Sequence, residues 1–213
     1  MAIVRSNTLS AARIRERLAG TCPPADPLQF DRGRALQRWP QALLQKYASK
    51  LQPAGVLVPI VVRDDSMSVL LTQRAASLSQ HPGQVSFPGG RMEPGDADVR
   101  ATALRETQEE IGITPQLVDV VGFLQTSPTV SGYAVTPVIG LVAGGYLLDI
   151  DRREVELVFE VPLDFLLDVA NLRMTEREFD GYRLPVPEFH YGGRRVWGAT
   201  ASILEMLREI LIS

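Results

Sequence analysis

The sequence predicts a layered α/β or α+β domain built on a mixed sheet, and three observations carry that expectation. Short β-branched runs recur with turn residues between them, a single long amphipathic helix interrupts them, and another helix closes the chain. Helices this few and this separated do not suit a doubly wound nucleotide-binding fold, in which each parallel strand is followed by its own helix.

Before the first strand lie two helical patches, about Ser10 to Leu18 and about Gly33 to Lys50, separated by Cys22-Pro23-Pro24-Ala25-Asp26-Pro27. Proline fixes φ and removes a backbone donor, so that stretch reads as a linker. Residues 1–54 are therefore read as an N-terminal helical arm and 55–213 as the main domain. From Gly55 the character changes. Val56 to Val62 and Ser68 to Thr72 are apolar and β-branched, and Asp64-Asp65-Ser66 supplies the turn of a hairpin. After a loop rich in glycine and proline, Val99, Ala103, Thr107 and Ile111 recur at every fourth position, with Asp96 or Asp98 available as N-cap and Gly112 placed to end the helix. Strand-like runs follow at Leu117–Thr126, Tyr133–Val142 and Glu154–Val161, and Pro162 is placed to begin a short helix. Gly192-Gly193 signals a last hairpin before a helix from about Thr200 to Ile212.

Composition narrows the function classes. The 213 residues carry 22 Lys plus Arg against 25 Asp plus Glu, a net charge of −3, which offers no polyelectrolyte drive toward nucleic acid or an anionic membrane. The longest apolar run, Gly55 to Val62, is too short to span a bilayer. Cys22 is the only cysteine, so no internal disulfide forms, and a reducing cytoplasm is the expected setting. Arg5, Arg13, Arg15 and Arg17 could suggest a transit peptide, but an amphipathic first helix accounts for the same stretch.

Chemistry concentrates on the central helix. At about 100° per residue, Glu106, Glu109 and Glu110 group on a sector beginning at the edge of the apolar stripe. Their i,i+3 and i,i+4 spacing makes the like charges repel by roughly 0.2–0.5 kcal/mol per exposed pair. A divalent cation reverses that sign. Oxygen-only ligation suits Mg²⁺ or Mn²⁺ over zinc, because His81 and His190 are the only histidines and Cys22 is remote in sequence. A solvated helix face gives the same acids, but the loop His81-Pro82-Gly83-Gln84-Val85-Ser86-Phe87-Pro88-Gly89-Gly90 before it is built for close, rigid approach of backbone to a ligand.

Together, Gly90 and Arg105-Glu106-Thr107-Gln108-Glu109-Glu110-Ile111-Gly112-Ile113 are similar to the Nudix box, whose ending is Arg-Glu-aliphatic-any-Glu-Glu-any-Gly-aliphatic. The segment Leu70 to Gly90 resembles the extended signature of the coenzyme A pyrophosphatase branch of that family, with further similarity at Ser127-Pro128-Thr129, Val158 to Leu163 and Val196 to Thr200. The chain departs from the general box at Ala97, where a glutamate is expected, and at Arg91, where the glycine is expected, so this loop is one residue longer with Asp96 and Asp98 as its nearby acids. Thr107 replaces an aliphatic residue.

The resemblance implies an α/β/α Nudix sandwich in which Glu106, Glu109 and Glu110 hold Mg²⁺ or Mn²⁺ and Arg105 orients a glutamate. It implies hydrolysis of the pyrophosphate of coenzyme A or acyl-coenzyme A, with Arg74, His81, Gly89, Gly90 and Arg91 as candidate substrate contacts. A later acid, Glu154 or Glu156, is a candidate base, and Tyr133 or Phe123 could meet the adenine instead of packing in the core. ADP-ribose or a reduced nicotinamide cofactor is the alternative substrate, and a non-catalytic ligand-binding module the alternative class. A homodimer is common among such proteins, with the arm as contact; equally, the arm could cover the sheet.

Overall fold

In the computed structural model, which describes residues 9–212, an eight-stranded mixed sheet is enclosed between helices on both faces. The sheet comprises β1 (Gln52–Val62), β2 (Met67–Arg74), β3 (Val85–Ser86), β4 (Gly89–Arg91), β5 (Val118–Phe123), β6 (Ser127–Pro128), β7 (Tyr133–Ala143) and β8 (Val155–Pro162). Its central path runs β3-β2-β1-β7-β5, with β4 added to β1, β6 to β7 and β8 to β2. Among the described residues only the β1–β7 pairing is parallel, from Gln52 opposite Tyr133 to Val62 opposite Ala143. The expected mixed, non-doubly-wound architecture is what the chain adopts.

Alternation along β1 divides the interior. Leu57 and Val61 point to the face covered by α4 (Val99–Ile111), where they meet Ala103 and Ile111. Val58 and Ile60 point to the opposite face, covered by α1 (Ala11–Leu18), α5 (Leu163–Leu167) and α6 (Ala199–Ile212). Each fully buried side chain of this size stabilises the fold by roughly 1.5–3 kcal/mol relative to exposure. Within the arm, α1 starts at Ser10, whose hydroxyl accepts from the Arg13 N–H at 3.2 Å, and it seals the sheet with Ile14 and Leu18, both buried. Of the two roles expected for the arm, its first helix performs the covering one; Arg5 lies outside the described residues.

The second helical patch is two helices, α2 (Arg32–Leu36) and α3 (Gln41–Ala48), because Pro40 lacks the N–H needed to continue the first and takes an extended ψ of 144°. Beyond α5 the chain builds a separate three-stranded antiparallel sheet, β9 (Arg173–Phe179), β10 (Tyr182–Tyr191) and β11 (Arg194–Trp197), whose first strand carries too many charged residues to stand out in the sequence. Leu184 and Val186 of β10 pack with Leu43 of α3, beside Trp39 and Trp197. β1 starts at Gln52, ahead of Gly55, and the arm thus leads directly into the sheet.

Candidate active site

Helix α4 is fixed at both ends by local chemistry. The Asp98 carboxylate accepts from the Ala101 N–H at 2.9 Å as N-cap, and Gly112 closes the helix with φ 77°, a left-handed conformation that glycine adopts without Cβ strain. The stripe Val99, Ala103, Thr107 and Ile111 is buried as expected. The Thr107 hydroxyl, where the family pattern has an aliphatic group, donates to the Ala103 carbonyl at 2.6 Å and so loses no hydrogen bond on burial.

That orientation sets a different exposure for each acid. Glu110 is only 5% exposed, Glu106 is half-buried, and the Glu109 side chain is 60% exposed. The strand β4 passes close above them: the Gly89 N–H donates to Glu110 Oε2 at 3.3 Å, and a Cβ at Gly90 would stand 2.6 Å from the Glu106 carboxyl carbon. Any side chain at Gly90 would displace that carboxylate. Desolvation first, and then the charge of Glu106, push the Glu110 carboxyl up to about 8; desolvation likewise raises Glu106, against the opposing pull of Arg105.

Arg105 is the hub of the charges. Its guanidinium donates to Asp96 at 3.0 and 2.9 Å, to Glu106 at 2.8 Å and to Glu109 at 3.1 Å. Asp96, in the lengthened loop, is held down to about 2 chiefly by Arg105, and it also accepts from the Thr102 hydroxyl at 2.9 Å and the Glu93 N–H at 2.8 Å. The two acids of the loop thus separate: Asp98 caps the helix and Asp96 anchors Arg105. Sequence spacing alone allowed either to cap.

These groups open into one cleft of about 750 Å³. Arg74, His81, Gly89, Gly90 and Arg91 all line it, as does Tyr133, whereas Phe123 packs with the core on the α4 side of the sheet. Arg74 donates to the Gln80 carbonyl at 3.4 Å, and Arg91 is loosely paired with Glu93 at 3.7 Å, so both cations sit on the cleft wall with weak protein partners. His81 takes φ 53°, which turns the loop between β2 and β3. Of the two later acids, Glu154 lines the cleft and its charge acts on both Glu106 and Glu110; Glu156 lies on β8 and does not line it. The Asp149–Glu154 loop is bonded back to α4, with Asp149 and Asp151 N–H donating to the Ile111 and Glu110 carbonyls at 3.0 Å each. Trp39, Phe179, Leu184 and Trp197 complete the wall from the α2–α3 turn, β9, β10 and β11, and no sequence pattern announced them.

Among the described residues, no three acids are gathered closely enough to hold an ion outright. The donor chemistry nevertheless fits a hard divalent cation. It offers carboxylate oxygens alone, one of them deeply buried with a single long backbone hydrogen bond and a like charge beside it.

The Nudix-domain profile matches residues 53–200, from the start of β1 into α6. The chain belongs to the Nudix hydrolase family. Similar proteins include the uncharacterized Nudix hydrolase NudL of Cronobacter sakazakii, 38% identical over 181 residues that cover 85% of this chain and 94% of that one. NudL of Salmonella paratyphi B is 42% identical over 157 residues, covering 72% and 80%. A solved structure, the Nudix hydrolase RenU from M. Smegmatis, superposes with a TM-score of 0.49 at 20% identity, over 76% of this chain and 86% of that one. As a Nudix hydrolase the chain acts on phosphorus-containing anhydrides, and members of the family generally need divalent metal ions. No described helix is long and apolar enough to cross a membrane.

Proposed function

We propose that this Nudix hydrolase cleaves the pyrophosphate of coenzyme A or acyl-coenzyme A, releasing 3′,5′-ADP and 4′-phosphopantetheine or its acylated form. The observation that carries the reading is the segment Leu70–Gly90, which resembles the coenzyme A pyrophosphatase signature and contributes Arg74, His81, Gly89 and Gly90 to the wall of the cleft beside the acids. A net charge of −3 and a concave site fit a single small ligand and not a nucleic-acid strand or a membrane surface. The single exposed cysteine, Cys22, is consistent with work in the cytoplasm.

Glu106, Glu109 and Glu110 are the residues that would hold Mg²⁺ or Mn²⁺. Such an ion, when bound, withdraws charge from a phosphoryl oxygen and makes an attacking water more acidic. Arg105 restrains Glu106 and Glu109 while Asp96 fixes Arg105, so two carboxylates are oriented before substrate arrives. Arg74 and Arg91, which line the cleft, are assigned to phosphate oxygens, and Glu154 is assigned the proton of the water whose oxygen bonds to phosphorus as the anhydride P–O bond breaks. Incubation with coenzyme A, acetyl-coenzyme A, ADP-ribose and NADH under Mg²⁺ and then Mn²⁺ tests the substrate. Preferential release of 3′,5′-ADP supports it; preferential cleavage of ADP-ribose or NADH replaces the substrate and leaves the hydrolase chemistry standing.

A further inference from the structure

Glu154 and Glu156 flank Val155 at the start of β8, yet of the two only Glu154 lines the cleft. Two local devices separate them. The first is a break in register: Leu157 pairs with Gln73 and Val155 with Arg74, so Glu156 is passed over. Such a break reverses the face that each preceding residue meets. Val155 accordingly packs on the α4 side of the sheet with Val158, and the Ala75 N–H donates to the Glu154 carbonyl at 2.8 Å, carrying the shifted register one residue further. The second device is a single helical turn over 151–155. The Asp151 carbonyl accepts from the Glu154 and Val155 N–H groups at 3.0 and 2.9 Å, and its carboxylate accepts from the Arg153 N–H at 2.9 Å. Its own N–H donates to the Glu110 carbonyl at 3.0 Å. One residue is thus bonded to the backbones of both Glu110 and Glu154. The loop is pressed against the end of α4, since a Cβ at Gly112 would stand 2.7 Å from the Asp149 backbone nitrogen.

We infer that Asp151 is a positioning residue for Glu154: its capped turn fixes the acid that takes the proton of the attacking water relative to the acids of α4. The inference rests on the assignment of that proton to Glu154 and holds whichever anhydride is cut. Among the described residues the Glu154 carboxylate is in no hydrogen bond or ion pair, so its backbone decides where it stands. The Asp151 carboxylate also meets the Arg153 guanidinium at 2.6 Å, but Arg153 is exposed and such a pair contributes little. The part of Asp151 that matters is therefore the acceptor for the Arg153 N–H, which asparagine retains and alanine lacks.

The test is a double-mutant cycle. With Mg²⁺ present, kcat and KM are measured on whichever of coenzyme A, acetyl-coenzyme A, ADP-ribose and NADH is cut fastest, in wild type, Asp151→Ala, Asp151→Asn, Glu154→Gln and Asp151→Ala with Glu154→Gln. In Asp151→Ala, kcat is expected to fall about tenfold or more while KM stays within about twofold, as misplacement of a proton acceptor requires. Asp151→Asn should stay within about threefold of wild type, and Asp151→Ala added to Glu154→Gln should lower kcat no further. Thermal unfolding checks that the variants are folded. If Asp151→Ala is not, Asp151→Ser replaces it with a smaller expected fall, since a hydroxyl makes the same turn more weakly. Wild-type kcat in the folded variant overturns the inference, as does a loss in Asp151→Asn equal to that in Asp151→Ala. An equal loss in both backgrounds overturns it too, because Asp151 would then act on the fold or on α4, and the role of Glu154 would stand. Wild-type kcat in Glu154→Gln defeats that role and the inference with it. No cleavage of any of the four compounds overturns both.

Discussion

Two regions of the molecule line one cleft by opposite means. On the side of α4 and β4, the acids are concentrated in a short stretch of chain, residues 89–112, where a capped helix, two glycines and an arginine hub hold carboxylates that repel one another. On the side of α2, α3 and the β9–β11 sheet, the wall is assembled from segments far apart in sequence, with Arg34 of α2 bound to Glu209 of α6 and Leu43 of α3 packed on Leu184. The first region is built for charge and is shaped by local rules. The second is built for contact area and exists only once the chain has folded. Substitutions in the first should lower turnover, and substitutions in the second should change which substrate is preferred.

The most damaging change on the α4 side is Glu110→Gln, expected to lower hydrolysis by about 10²–10⁴-fold. It should leave the metal-free protein at least as stable at pH 7, since glutamine resembles the protonated acid that burial favours. A thermal melt beside the rate assay reads both. Asp96→Asn comes next. It frees Arg105 from its deepest anchor and should cost about 10–100-fold in rate and roughly 1–3 kcal/mol in stability. Equal rates in mutant and wild type would show that Arg105 needs no anchor.

Acid titration extends the contrast to stability. Asp96 and Glu160 are both held down to about 2, the first mainly by Arg105 and the second mainly by Arg63, which it meets at 2.7 Å. Their folded values lie below the unfolded ones, so their stabilisation is complete above about pH 4.5 and is lost as pH falls from there toward 2. Denaturant midpoints across that window should fall, and Glu160→Gln should flatten part of the slope. Smallest of all is Thr107→Val: the lost hydroxyl bond to Ala103 is offset by better apolar burial, and the expected change is within about 1 kcal/mol and near-normal activity.

The same contrast explains what the sequence revealed. Helix α4 was legible because a four-residue apolar stripe, an acid at the N-cap and a glycine at the C-terminus all act within one segment. The loop glycines were legible too, since close approach needs them wherever the partner lies. Strand β9 was not, because Arg173-Met174-Thr175-Glu176-Arg177-Glu178 lacks an apolar alternation and is a strand only through its pairing with β10. The break between α2 and α3 was signalled by Pro40 and outweighed by the helical pattern around it. That Asp98 and not Asp96 caps the helix depended on backbone geometry that composition does not encode. The aromatic wall of the cleft was hidden for a different reason, since it joins residues in the thirties to residues near 180 and 200.

The central claim is that the buried acid of α4 holds a divalent cation, and calorimetric titration of Mn²⁺ into the wild type and Glu110→Gln, in two buffers of different ionisation heat, tests it most directly. Burial raises the folded value of Glu110 to about 8, so at pH 7 the metal must displace a proton, and by pH 9 it need not. The account predicts Mn²⁺ binding by the wild type with close to one proton released at pH 7 and almost none at pH 9, and binding at least tenfold weaker in the variant. Equal affinity and equal proton release in the two proteins would contradict it.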